Sequence, residues 1–175
     1  MDDLQIQIPE AATRIYQKAA EIGFNASCDI LTGGFLRALA ASKKQARILE
    51  LGTGVGYSTS WIVEGMDQES KLTTVEMNVE AVSVAMEQLG KDKRIEFIVD
   101  DGENFIREHS HEQYDIVFAD TWPGKFYLTE EALAMVKPGG IYLIDDLNPQ
   151  PNWPEGHGSK VVDLIAYLET RNDFF

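Results

Sequence analysis

Glu50-Leu51-Gly52-Thr53-Gly54-Val55-Gly56-Tyr57-Ser58 follows a short apolar run, Arg47–Leu51, and leads into a helical stretch. The glycines permit a tight strand-to-helix turn and let a ligand lie against bare backbone. The spacing is G-x-G-x-G, which is neither the G-x-G-x-x-G of dinucleotide binders nor a P-loop. A glycine cluster alone could be no more than a turn, so its weight depends on what surrounds it.

Working outward, four further apolar runs have the length and the β-branched or aromatic content of strands. They are Lys71–Glu76, Ile95–Val99, Tyr114–Ala119 and Gly140–Ile144. Helical patterns lie between them. Val79–Leu89 places Val79, Val82, Met86 and Leu89 on one stripe. Gly102–His109, Phe126–Val136 and Val161–Leu168 read as further helices, and Lys137-Pro138-Gly139-Gly140 reads as a helix stop before the last strand. Two more helices, Ala11–Ile22 and Leu31–Ala41, precede the first strand and are expected to pack on the sheet or cap its open end. Strands alternating with helices predict an α/β fold, a Rossmann-like, doubly wound, mainly parallel sheet with helices on both faces. The whole chain, 1–175, reads as one domain: N-terminal helices over 1–45 and the sheet core over 46–175.

In such a sheet ligands sit outside the carboxyl ends of the strands, and acids cluster there. Glu50 lies within the end of the first strand. Glu76 ends the second, followed by Met77-Asn78, and a carboxylate there can accept both hydroxyls of a ribose. Asp100-Asp101-Gly102 ends the third, where an acid could meet an adenine amino group. Asp120 ends the fourth, and Asp145-Asp146 ends the fifth. Neighbouring strands lie about 4.8 Å apart, so Asp120, Asp145 and Asp146 converge if their strands pair. Three carboxylates in one cleft need a hard cation, a bound proton or a basic side chain between them. Lys125, in Asp120-Thr121-Trp122-Pro123-Gly124-Lys125, is the nearest base in sequence; the alternative is a surface lysine at a helix start.

These pieces together resemble the class I S-adenosylmethionine-dependent methyltransferases, in particular the catechol O-methyltransferase-like branch. The similarity runs from about Leu31 to Tyr167 and is carried by ELGTGVGYS at Glu50–Ser58, by Thr74–Asn78, by Asp101-Gly102, by DIVFAD at Asp115–Asp120 and by GGIYLIDD at Gly139–Asp146. The resemblance implies that Glu50, Gly52, Thr53, Gly54, Gly56, Tyr57 and Ser58 form the site for the methionine part of S-adenosylmethionine. It also implies that Glu76 and Met77 serve the ribose, that Asp101 and Gly102 lie near the adenine, and that Asp120 borders the cofactor. It further implies that Asp120, Asp145 and Asp146 hold Mg²⁺ or Ca²⁺, Asp146 standing where the family has asparagine. Lys125 and Asp120 would be the catalytic pair acting on the acceptor hydroxyl, although the Pro-Gly pair lengthens the loop before Lys125. Trp122 could wall the acceptor site. Leu147–Gly158, with three prolines, Trp153 and His157, is a stiff segment of the kind that selects substrate. A further antiparallel hairpin closes the sheet in the family; Asn172–Phe175 reads as its start, which would leave the edge beside the fifth strand open to another chain.

Composition narrows the partners. The net charge is -14, a surface that repels phosphate backbones and anionic membranes. Lys43-Lys44 and Lys91–Arg94 are too short to form a basic patch. A small-molecule acceptor is therefore expected, with no membrane partner and nucleic acid disfavoured. The single cysteine, Cys28, precludes an internal disulfide and fits a reducing cytoplasm; the acidic start, Met1–Glu10, lacks the features of a signal peptide. A homodimer is expected. The competing readings are a tRNA or RNA methyltransferase, a catalytically weak S-adenosylmethionine-binding module, and, from the fold alone, a nicotinamide enzyme.

Overall fold

The computed structural model describes residues 6–151 and 153–174; Met1–Gln5, Asn152 and Phe175, which fall within stretches read above, lie outside them. The five strands are β1 (Arg47–Leu51), β2 (Lys71–Val75), β3 (Ile95–Ile98), β4 (Tyr114–Ala119) and β5 (Val136–Ile144). All pair in parallel, in the order β3-β2-β1-β4-β5. The helices are α1 (Glu10–Glu21), α2 (Ile30–Ser42), α3 (Tyr57–Gly65), α4 (Val79–Leu89), α5 (Gly102–His109), α6 (Thr129–Ala134) and α7 (His157–Leu168).

The sheet is Rossmann-like and covered on both faces, and the alternation of side chains along a strand decides what each face buries. Ile48 of β1 and Ile116 and Phe118 of β4 pack with Leu36 and Ala40 of α2 and Ile62 of α3. Leu49, Leu51 and Val117 point the other way, against Phe105 and Ile106 of α5 and Ala132 of α6. A third cluster reaches the sheet only at its β3 edge, through Ile95 and Phe97: Ala12, Ile15 and Ala19 of α1 pack with Trp61 of α3 and with Ala81 and Val84 of α4. Thus α2 covers the sheet, whereas α1 lies as an outer layer on two helices.

Local chemistry sets several helix starts. The side chains of Asp29, Asn78 and Asp101 accept backbone N–H groups at the heads of α2, α4 and α5, satisfying donors that the first helical turn leaves unpaired. Between α2 and α3 the backbones approach closely at Gly65, where a Cβ would stand 2.2 Å from the carbonyl oxygen of Arg37.

Three elements differ from the expectation. β5 starts at Val136 rather than Gly140, because Lys137-Pro138-Gly139-Gly140 is a bulge within the strand rather than a connection. Tyr114 pairs with Val136 and Ile116 with Ile141, so β5 advances five residues while β4 advances two; Lys137 Nζ anchors the bulge to Asp115 Oδ2 at 2.8 Å. α6 begins at Thr129 rather than Phe126, since Gly124 and Leu128 have φ of 81° and 53° and the residues between them form a compact turn. α7 begins four residues earlier than expected, at His157, behind Gly156 in a left-handed conformation. Asn172–Phe174 carry no strand. Among the described residues no helix is long and apolar enough to cross a membrane.

Candidate active site

The carboxyl ends of the strands are tied to one another by the last rungs of the ladder. Gly52 and Thr53 donate their N–H groups to Val75 O at 2.9 and 3.1 Å, Asp120 N–H reaches Leu51 O at 2.8 Å, and Asp145 N–H reaches Ala119 O at 3.2 Å. The glycine loop, Glu76, Asp120 and Asp145 therefore sit side by side along one edge of the sheet, as the strand order requires.

Two cavities open there. The first, of about 430 Å³, is bordered by Gly52 and Gly54 of the loop, Glu76 and Met77 after β2, and Asp101 and Gly102 at the head of α5. Glu76 shapes this cavity as well as lining it, since Oε2 accepts Gly54 N–H and Oε1 accepts Asn78 N–H, both at 2.8 Å. Gly54 has φ of +51°, and a Cβ there would stand 2.9 Å from the Phe24 ring, so this position admits little but glycine. Asp101 Oδ1 receives Glu103 N–H at 2.8 Å, which fixes the carboxylate at the mouth of α5.

The remaining loop residues lie behind this surface. Glu50 is fully buried. Its oxygens accept the hydroxyls of Ser58, Thr59 and Thr74, each at 2.6 Å. Burial pushes its carboxyl up to about 7, against the opposing pull of the three hydroxyls. Glu50, with Ser58 and with Thr53, whose hydroxyl pairs with that of Thr74 at 2.6 Å, is thus a brace that locks β1, β2 and α3 together, and not a cavity-facing group. Gly56 abuts Ala85 of α4. Tyr57 faces a separate apolar groove between α1 and α2. The sequence pattern did not distinguish residues that line the loop from residues that hold it. Phe24 and Tyr127, which also border the first cavity, were not anticipated; each belongs to a different segment, with no motif to mark it.

The second cavity, of about 360 Å³, is lined by Asp120, Asp145, Asp146, Lys125, Trp153 and His157, with Cys28 and Asp29 from the α1–α2 connection. Asp120, Thr121 and Trp122 border both cavities. Lys125 is 1% exposed, which removes the surface-lysine alternative. Its Nζ stands 3.8 Å from Asp120 Oδ1 and 3.9 Å from Asp146 Oδ2. Burial, and then the neighbouring Asp145, hold the Asp120 carboxyl well above the usual carboxylate range, with Lys125 opposing. Burial raises Asp145 as well, although its Oδ1 accepts Asp146 N–H at 2.8 Å. His157 is buried. Its ring stacks on Trp153 with centroids 4.4 Å apart and meets Phe126 edge-on. Nε2 lies 3.2 Å from Asp146 O, while Nδ1 has no hydrogen-bond partner among the described residues.

This arrangement departs from the metal triad expected of Asp120, Asp145 and Asp146. Among the described residues no three His, Cys, Asp or Glu side chains gather in a way that could hold a metal ion. Asp120 and Asp146 face a lysine, and one oxygen of Asp145 is turned to backbone. The donor set does not fit Mg²⁺ or Ca²⁺.

A parallel 3-2-1-4-5 sheet with a glycine loop after β1 and an acid after β2 is a Rossmann-like arrangement suited to a nucleoside cofactor. A family model described as O-methyltransferase matches residues 13–152, and the chain belongs to that family. It is 26% identical over 133 residues to a Mycolicibacterium vanbaalenii protein named "Putative O-methyltransferase", an alignment covering 73% of this chain and 58% of that one. The chain thus spans less than two thirds of the length of this curated relative. In fold it is similar to the O-methyltransferase TomG of Streptomyces achromogenes, involved in tomaymycin synthesis and solved with S-adenosylmethionine (TM-score 0.83, 23% identity, covering 97% of this chain and 82% of TomG). It is similar also to a Bacillus cereus O-methyltransferase solved with S-adenosylhomocysteine (TM-score 0.82, 20% identity, covering 97% and 83%).

Proposed function

We propose that the chain transfers the methyl group of S-adenosylmethionine to a hydroxyl of a small, catechol-like acceptor. One observation carries this reading: the two cavities share the wall Asp120-Thr121-Trp122. A donor in the first cavity and an acceptor in the second would meet across it. Glu76 suits a ribose because its carboxylate is already oriented by two backbone N–H groups; Gly52 and Gly54 leave room for the methionine part, and Asp101-Gly102 borders the base.

In the reaction the acceptor O–H gives its proton to a carboxylate of the Asp120–Asp145 pair. The oxygen lone pair then attacks the methyl carbon, and the C–S bond breaks to leave a neutral thioether. Carboxylates with raised pKa are the stronger bases, and Lys125 supplies positive charge to the forming oxyanion. Most of the acceleration comes from aligning oxygen, carbon and sulfur in a site shielded from water. Trp122, Trp153 and His157 suit a planar acceptor. The large negative net charge disfavours the RNA reading. The single cysteine supports a cytoplasmic setting, and exposed Tyr16, Leu31 and Phe35 on α1 and α2 support a homodimer.

The test is calorimetric titration with S-adenosylhomocysteine, followed by methyl transfer from labelled S-adenosylmethionine to a panel of phenols and catechols. Saturable binding and label in the ether product are expected. Absence of nucleoside binding would remove the reading.

A further inference from the structure

Asp120, Asp145 and Asp146, at the ends of two paired strands, line one cavity, and carboxylates so placed, with Asp120 largely buried, are tolerated only with compensating positive charge. We propose that Lys125 is the resident cation of this site, its ammonium standing in the place that a divalent ion would otherwise fill. The inference rests on reading this cavity as the acceptor site.

The turn after β4 is built to deliver the lysine inward. Gly124, with φ of +81°, donates its N–H to Tyr127 O at 2.8 Å. The Tyr142 hydroxyl on β5 clasps Gly124 O at 2.6 Å. Lys125 and Phe126 both donate N–H to Trp122 O, at 3.1 and 2.8 Å. The extra Pro123-Gly124 pair therefore does not carry Lys125 away to the surface; it folds the chain back. The ammonium ends within 4 Å of carboxylates from two different strand ends, Asp120 and Asp146, and 5.7 Å from the Phe126 ring centre. Asp146 itself adopts φ of +59°, a conformation uncommon for aspartate, which carries its carboxylate to the lysine. Hard divalent ions need several oxygen ligands in one coordination sphere; here those oxygens already face an ammonium that is anchored by backbone geometry.

The proposal makes the lysine and a divalent ion mutually exclusive. Removing the ammonium while keeping the carboxylates should open a cation site. The test is thermal unfolding of wild type, Lys125→Met and Lys125→Arg, each with and without about 10 mM Ca²⁺ or Mg²⁺, a concentration chosen to exceed even weak protein sites. Calorimetric titration with Ca²⁺ alone accompanies it. Wild type and Lys125→Arg should show no cation-dependent rise in melting temperature. Lys125→Met should be less stable in chelator and should be raised toward wild type by the ion, and adding Asp146→Asn should diminish that rise. A Lys125→Met protein indifferent to Ca²⁺ and Mg²⁺ overturns the proposal. So does a wild-type protein stabilised by either ion in a manner abolished by Asp145→Asn. A weakly folded Lys125→Met still gives a decisive answer, because ion-dependent stabilisation is the quantity read. Neither cofactor nor acceptor is present in these measurements, so failure here and failure of the methyl-transfer reading remain separate results.

Discussion

Glu76 and Gly54 are joined by a 2.8 Å hydrogen bond from loop backbone to carboxylate, so the acid after β2 helps to form the glycine turn after β1. The pair couples the two segments proposed to hold the nucleoside. Glu76→Ala should weaken S-adenosylhomocysteine binding by about 1.5–3 kcal/mol, the range for losing charge-assisted hydrogen bonds. Calorimetry measures this directly. Affinity equal to wild type would place the ribose elsewhere.

Glu50 links acidity to stability. Its carboxyl is raised to about 7 in the folded chain, above its unfolded value, so the native state binds the extra proton. That stabilisation is fully present below pH 4.5 or so and is lost as pH rises through about 7; it amounts to about 3 kcal/mol. Asp120 and Asp145 shift in the same direction. Urea midpoints should therefore fall between pH 5 and pH 8, and Glu50→Gln should flatten part of that slope. The hydroxyls of Ser58, Thr59 and Thr74 can accept as well as donate, so the amide can be satisfied. An identical slope in the variant would mean that Glu50 does not titrate there.

Gly65 is a packing constraint. Alanine there would bring its Cβ to 2.2 Å from a backbone carbonyl of α2, a contact that no rotamer relieves. The helices must separate, and Gly65→Ala should cost about 1–3 kcal/mol in denaturant unfolding, despite alanine's better helix propensity. Unchanged or increased stability would show that α2 and α3 yield easily.

Trp153 borders the second cavity, proposed for the acceptor, and not the first, proposed for the nucleoside. Trp153→Ala should leave S-adenosylhomocysteine affinity unchanged and raise KM about fivefold for the phenol turned over fastest, about 1 kcal/mol of lost aromatic contact. Equal loss at both ligands would mean that the tryptophan supports the fold rather than the acceptor.

Much of this was legible in the residues because a buried parallel strand must be a short apolar run and a ligand turn must shed side chains. Arg47–Leu51 and Tyr114–Ala119 keep the boundaries that their patterns suggest. Lys137–Gly140 misled for a physical reason: proline and glycine mark a chain stop and a bulge equally well, and only the Tyr114–Val136 pairing separates the two. The depth of Lys125 was hidden because it depends on Tyr142, seventeen residues further on, gripping Gly124. His157 looked like a loop residue because the stacking of Trp153 that buries it leaves no periodic trace. Glu50 reads as a ligand by position, and its three hydroxyl partners become visible only once β1, β2 and α3 meet.

The place of β1 in the sheet has a consequence for how the protein is made. Its partner on one side, β2, follows closely, but on the other side Ile48 must meet Ile116. At a synthesis rate of roughly 5–20 residues per second, that partner emerges on the order of 3–14 s after Ile48. The half carrying the glycine turn and Glu76 is thus complete while the half carrying Asp120, Lys125 and Asp145 is still being translated. During that interval one flank of the central strand has no neighbour, and such long-range parallel pairing closes slowly. The seam between β1 and β4 is therefore where a nascent chain is most exposed to mispairing, and it is also the line along which the two cavities come to face each other.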